Sequence, residues 1–250
     1  MPKHTLDKVV VVGATSAIAR EAARILARRG ARLFLVARDR AKLEASASDL
    51  KVRGAAAVHI ATADLASTSE HERWWPEALE ALGEPDSILI AHGILGDAER
   101  ARADAAHTSE ILTTNFLSVA AMLAPVSTWF EQRRRGVIAV IGSVAGDRGR
   151  QSNYVYGASK GGLDIFLQGL RNRLFHAGVA VVTVKPGFVD TPMTAHLPKS
   201  PLFASPETVA EGIVKAMENG RDVVYLPFFW RYIMLAIKLL PETVFKRLKT

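Results

Sequence analysis

An α/β fold built on a doubly wound parallel sheet is the class this sequence predicts. Short apolar runs of strand length alternate with amphipathic stretches of helix length. The runs recur seven times, and no linker, short repeat or low-complexity segment separates them. Polar or small-residue segments follow the runs directly, which is where an open parallel sheet places its ligand.

The first run, residues 9–12, is continuous valine, as a strand buried on both faces requires. Residues 16–29 follow as a helix, with Ile18, Ala22, Ile25 and Leu26 on one stripe and arginines opposite, and Gly30 stops it. Further strands are predicted at 32–36, 56–60, 88–91, 137–142, 179–184 and 223–226. Ser205-Pro206-Glu207 reads as a helix start: an N-cap, a proline in the first turn and an early carboxylate. Right-handed crossovers between such units leave the strands parallel, so the chain reads as one domain over 1–250.

Composition narrows the function. Apolar residues make up 49% of 250 positions, enough for a large core without the excess of a multi-span membrane protein. The absence of cysteine excludes disulfides, thiolate metal sites and cysteine nucleophiles, and fits a reducing compartment. Residues 1–8 carry no signal-peptide pattern, so a cytoplasmic location is expected. The net charge of +7 is scattered or set on helix faces, without the aromatic–basic platform that single-stranded nucleic acid needs. An anionic cofactor, an anionic substrate or a membrane surface accounts for it instead. No metal site is expected.

The turn Gly13-Ala14-Thr15-Ser16-Ala17-Ile18-Ala19 joins the first strand to the first helix. A helix N-terminus aimed at it supplies free N–H groups for a pyrophosphate, and the small residues let the backbone approach. The second strand ends at Ala37-Arg38-Asp39, where an arginine favours the 2′-phosphate of NADP(H) over the free hydroxyl of NAD(H). Alternatively, Arg38 is a loop residue paired with Asp39. Asp64-Leu65 follows the third strand and would meet the adenine edge or cap the next helix.

The fifth strand ends in Gly142-Ser143, and thirteen residues on comes Tyr156-Gly157-Ala158-Ser159-Lys160. Four residues apart, Tyr156 and Lys160 share a helix face. A free tyrosine has a pKa of about 10, and bringing it near neutrality takes about 4 kcal/mol of preference for the phenolate. A nearby ammonium in a poorly solvated site is a sufficient source. Ser143 would donate to the substrate oxygen. Tyr154 has no lysine four residues on and is set aside.

With these residues the chain resembles the short-chain dehydrogenase/reductase family over nearly its whole length. The resemblance adds Ala91-His92-Gly93 after the fourth strand, Asn115 in a helix, and Pro186-Gly187 with Thr191 after the sixth strand. It implies a Rossmann-type seven-stranded sheet and a hydride exchanged between NADP(H) and a ketone or secondary alcohol. Tyr156 would be the acid/base, Lys160 would also hold the nicotinamide ribose, and Asn115 would fix a water in a proton relay. Pro186, Gly187, Val189 and Thr191 would border the nicotinamide, with His92 and Gly93 nearby. His92 would touch the cofactor ribose or bond to backbone. The usual glycines of the first turn are Ala17 and Ala19 here, and its threonine is Val12. A homodimer or homotetramer, built on helices around 115–132 and 156–175, is also implied. A non-catalytic dinucleotide sensor and a membrane-surface scaffold are the rivals from other classes, and the former should tolerate loss of Tyr156 or Lys160.

Residues 190–204 are expected to form a substrate lid. Residues 227–241 are an aromatic-led apolar run, too short for a bilayer span, which needs about 20 residues. Arg231 and Lys238 share one stripe, and Lys246, Arg247 and Lys249 follow. The run suits either a helix in a membrane interface or a helix packed on protein. This tail and the first turn are similar to a subgroup that includes decaprenylphosphoryl-2-keto-ribose reductases. That implies a lipid-linked keto sugar as substrate and a place at the inner membrane face; a soluble ketone, 3-oxoacyl thioester or steroid-like alcohol is the alternative.

Overall fold

In the computed structural model, which describes residues 3–248, Val9 and Val11 face one layer of the core and Val10 and Val12 the other. Successive side chains of a strand point to opposite faces, so an all-valine strand serves two helix layers at once. The strands are β1 (Lys8–Val12), β2 (Arg32–Ala37), β3 (Ala57–Thr62), β4 (Ser87–Ile90), β5 (Gly136–Ile141), β6 (Val179–Pro186) and β7 (Val223–Leu226). All pair in parallel, in the order β3-β2-β1-β4-β5-β6-β7. Each predicted strand is present, with ends moved by at most two residues.

The helices are α1 (Ala17–Arg28), α2 (Arg40–Val52), α3 (Thr68–Leu82), α4 (Ala98–Ala101), α5 (Ala105–Leu112), α6 (Ser118–Arg133), α7 (Tyr154–Leu174), α8 (Pro206–Glu218), α9 (Trp230–Leu239) and α10 (Glu242–Phe245). Leu26 of α1, Leu43 of α2 and Ile213 of α8 pack on the Val9/Val11 face. Trp74 of α3, Met122 of α6 and Leu167 of α7 cover the opposite one. This is a Rossmann-like single domain with helices on both faces. Ser205 caps α8 as expected, its hydroxyl accepting from Thr208 N at 3.2 Å.

Residues Ala105–Arg133 are long and apolar enough to cross a bilayer. Val119, Leu123, Val126 and Phe130 of that stretch are instead buried in the core. Asn115, expected in a regular helix, sits in a π-helical turn, Thr113–Leu117, between α5 and α6. Such a turn breaks the regular hydrogen-bond ladder and is frequent at functional sites.

The sheet order reverses between β1 and β4, on either side of which β2 and β5 continue outward. The crevice beyond the carboxyl ends of these strands is the expected ligand position.

Candidate active site

A cavity of about 960 Å³ occupies that crevice. Its wall contains every cofactor residue nominated from the sequence: Gly13, Thr15, Ser16, Ala17, Ile18, Arg38, Asp64, Leu65, His92, Gly93, Tyr156, Lys160, Pro186, Gly187, Val189 and Thr191. Ser143 lines it too, while Asn115 lies behind the wall.

At the β1 end, Gly13 has φ +76°, and a Cβ there would lie 2.5 Å from His92 N. Only glycine permits this approach of the first turn to the strand β4 end. Ser16 caps α1, its hydroxyl accepting from Ala19 N at 3.2 Å, and the remaining first-turn N–H groups have no intrahelical acceptor. Asp39 is engaged elsewhere, capping α2 through Lys42 N at 3.0 Å and pairing with the Lys42 ammonium at 3.2 Å. Arg38 is exposed on the cavity wall and forms no ion pair among the described residues, so the Asp39 alternative is not realised. Asp64 accepts from Ala66 N at 3.1 Å within a turn, and the residue at the N-cap of α3 is Ser67.

His92 resolves into one tautomer. Ser118 Oγ donates to Thr114 O at 2.8 Å, which uses the hydroxyl proton. Nε2 of His92, 2.9 Å from Ser118 Oγ, must then carry the ring proton and donate it. Nδ1 is left as a buried acceptor with no partner. Burial, followed by the nearby Lys160, His71 and Arg38 charges, pushes the imidazole pKa down to about 3. A buried acceptor in a dinucleotide-sized cavity, a backbone cradle at Gly13 and an unpaired cation at Arg38 together fit a nicotinamide dinucleotide, with hydroxyl donors for His92 and phosphate for the other two.

At the other end, three glycines let two backbones touch. A Cβ on Gly146 would lie 2.7 Å from Lys160 C, on Gly157 3.0 Å from Ala145 O, and on Gly161 3.0 Å from Gly146 O. The Gly-rich start of α7 therefore lies directly on the turn after Ser143, which brings Ser143, Tyr156 and Lys160 together. Ser143 Oγ accepts from Ala145 N at 3.1 Å, which leaves its own proton for an oxygen in front of it, the Tyr156 phenol or a substrate carbonyl.

Lys160 is buried, and its Nζ donates to Ile141 O at 3.1 Å. The same nitrogen is 5.9 Å from the Tyr156 ring centroid. Burial pulls the Lys160 pKa down to about 8. The expected depression of the Tyr156 pKa is not found. Burial raises it, and the hydrogen bond with Ser143 is the one opposing influence. Lys160, itself lowered to about 8 by burial, loses its charge before the phenol ionises, so it does not offset the desolvation.

Asn115 is fully buried. Its Oδ1 accepts from Ile94 N at 2.8 Å, and its Nδ2 donates to Ile94 O at 2.8 Å and to Ser159 Oγ at 3.1 Å. Ser159 in turn donates to Tyr156 O at 2.7 Å. The side chain thus ties the segment after Gly93 to the first turns of α7.

The lid is pinned at its ends. Val189 and Ala204 form a parallel bridge, and Asp190 N donates to Ala204 O at 2.9 Å. Thr191 begins a 3-10 turn, Pro192–Thr194. Phe203 stacks on Phe188 at 5.3 Å.

Three features escaped the sequence reading. Arg150 lines the cavity, its nearest polar partner the Met234 sulfur at 3.3 Å, and burial lowers its pKa. Lys185, buried near the end of β6, reaches Asp147 at 2.6 Å and Asp164 at 2.8 Å. Trp230 of α9 packs against Gly187, where a Cβ would lie 1.9 Å from its Nε1. A lysine inside an apolar strand signals buried carboxylate partners, but not which ones.

A family model described as short chain dehydrogenase matches residues 7–201. An uncharacterized oxidoreductase of Mycobacterium tuberculosis is 38% identical over 240 residues, 96% of each chain. The 3-oxoacyl-[acyl-carrier-protein] reductase of Bos taurus is 35% identical over 195 residues, covering 77% of this chain and 80% of that protein. The crystal structure of levodione reductase superposes with a TM-score of 0.80 at 22% identity, covering 88% of this chain and 96% of the other, a likeness of fold. Members of the family bind NAD(P)(H). The chain belongs to the short-chain dehydrogenase family, oxidoreductases acting on CH–OH and keto groups.

Proposed function

We propose that this protein reduces a ketone to a secondary alcohol, reversibly, with NADP(H) as hydride carrier. The observation that carries the reading is the convergence of Ser143, Tyr156 and Lys160 at one end of a cavity whose other end holds the Gly13 turn and unpaired Arg38. The cofactor, when bound, supplies or takes up the hydride. Ser143 donates its free hydroxyl proton as a hydrogen bond to the carbonyl oxygen, where charge develops. Tyr156 delivers the proton that completes the alcohol. A phenol held protonated by burial suits the donor role, hence reduction at neutral pH. Lys160, charged below a pH of about 8, positions its remaining protons for the nicotinamide ribose and for the phenolate formed in the step.

The substrate carries an anionic group, an assignment supported by Arg150, which lines the cavity and forms no ion pair among the described residues, Asp147 acting on it only from a distance. A 3-oxoacyl thioester, through the phosphate of its carrier arm, and a phosphate-bearing lipid-linked keto sugar both meet that requirement, and the reductase from Bos taurus named above favours the former. Exposed Leu117, in the π-turn that leads into α6, and Ile165 of α7 support a homodimer through the outer faces of these helices. A cytoplasmic location fits a chain without cysteine.

Titration with NADPH and NADH, following nicotinamide fluorescence on wild type and Arg38→Ala, tests the cofactor. Tight NADPH binding that weakens by roughly 10- to 100-fold in the variant is expected for loss of one phosphate-bound arginine. Equal binding of NADH and NADPH by the wild type would remove the NADP assignment.

A further inference from the structure

We propose that the outer face of α9 docks on an anionic lipid surface. Phe228, Tyr232, Leu235 and Leu239 are 74%, 65%, 53% and 73% exposed. Tyr232, Leu235 and Leu239, three and four residues apart, share one stripe of the helix, and Phe228 lies in the turn that leads into it. The opposite face is apolar as well: Trp230 and Met234 are buried, and Ile233 and Ile237 pack beside them on Val144, Phe188 and Tyr225. A helix apolar on both faces is normally covered on both. This one is covered on one.

The helix is held firmly in place. Arg148 Nη1 donates to Ile237 O at 2.7 Å and to Leu240 O at 2.6 Å, while Nη2 pairs with Glu242 at 2.9 Å. A guanidinium satisfying the last carbonyls of a helix fixes its C-terminus. The exposed stripe is thus presented on a rigid element.

Charge identifies the occupant. Arg231 and Lys238, seven residues apart, lie together along one flank of the stripe, both exposed. Lys246 and Arg247 are exposed just beyond it, and the segment's one carboxylate, Glu242, is bound to Arg148. Lys249 lies outside the described residues. An isologous contact between two copies sets the same patch against itself and brings these cations together. An anionic bilayer attracts them while its acyl boundary takes the aromatic and leucine side chains. Ten residues of helix extend about 15 Å, half a bilayer core, so the helix lies in the interface plane rather than across it.

The inner face of the same helix backs the substrate end of the cavity. Trp230 meets Phe188 edge to face at 5.5 Å, and Phe188 stacks on Phe203 of the lid. Docking therefore sets the substrate mouth beside the lipid surface. It stands independently of the reductase reading, since no catalytic group takes part.

The test is co-sedimentation of the full-length protein with vesicles of phosphatidylglycerol and phosphatidylcholine, and of phosphatidylcholine alone. Wild type should bind the anionic vesicles and be released by added salt. Arg231→Gln with Lys238→Gln should weaken binding by roughly fivefold per cation. Phe228→Ser, Leu235→Ser and Leu239→Ser together should weaken it at least about tenfold, with the thermal unfolding midpoint and NADPH affinity unchanged. Absence of wild-type binding to anionic vesicles, or binding that the serine replacements leave intact, would overturn the proposal. So would serine replacements that lower the mass in solution without altering vesicle binding, an outcome that assigns the stripe to a second copy.

Discussion

The Lys185 ammonium lies 2.6 Å from Asp147 Oδ1, joining the residue before Pro186 to the fourth residue after Ser143. The same nitrogen reaches Asp164, one turn beyond Lys160 on α7, at 2.8 Å, and the Tyr225 hydroxyl donates to Asp147 Oδ2 at 2.7 Å. Three segments that line the cavity thus meet in one buried ionic cluster.

Lys185→Met should therefore cost stability as well as activity. It leaves two carboxylates with a buried cation removed, a loss of about 3–5 kcal/mol. Urea unfolding checks it. Burial works to lower the Lys185 pKa, but hydrogen bonds to Asp147 and Asp164 outweigh it and hold it above the ordinary lysine value. The stabilisation is fully present below the unfolded lysine pKa of about 10.4 and is lost as pH rises through the higher folded value.

For His92 the sign is opposite. Its folded pKa of about 3 lies below the ordinary 6.5, so the unfolded chain takes a proton that the folded one refuses. Stability should fall as pH drops from 6.5 toward 3, and His92→Asn should flatten that slope. Imidazole NMR should show this ring neutral, with the proton on Nε2, at pH 6. A ring titrating near 6.5 would contradict the burial argument.

Gly146→Ala places a methyl 2.7 Å from the Lys160 carbonyl carbon and 2.8 Å from Gly161 N, both backbone. Relief requires α7 to lift from the Ser143 turn. Misplacement of about 1 Å costs on the order of 100-fold in rate. Turnover should drop by that order while NADPH affinity, proposed above to rest on the distant Gly13 and Arg38 end, should change far less. Parallel steady-state and binding measurements separate the two.

Much of this was legible in the sequence because it is local. The Gly13 turn, the Arg38 strand end and the Tyr156–Lys160 pair each depend on spacing within one strand–loop–helix unit. The Lys185 cluster was not, since its acids lie 38 and 21 residues away and only folding selects them. Nor was the contact of Trp230 with Gly187, which joins the last helical segment to the end of β6. The direction of the Tyr156 pKa is hidden for a related reason: helix periodicity sets which face Lys160 occupies, but burial by segments distant in sequence raises the phenol and lowers the lysine. The π-turn at Asn115 likewise follows from side-chain bonds to Ile94, 21 residues upstream.

The most direct measurement is NADPH oxidation against a panel of ketones and 3-oxoacyl thioesters by wild type and Tyr156→Phe. Wild type should turn over at least one ketone, and the variant should still bind NADPH, weakened by no more than a few-fold, yet lose about 100-fold or more in rate, the worth of a positioned proton donor. A variant as active as wild type would contradict the assignment of Tyr156, and with it the account of how this cavity performs reduction.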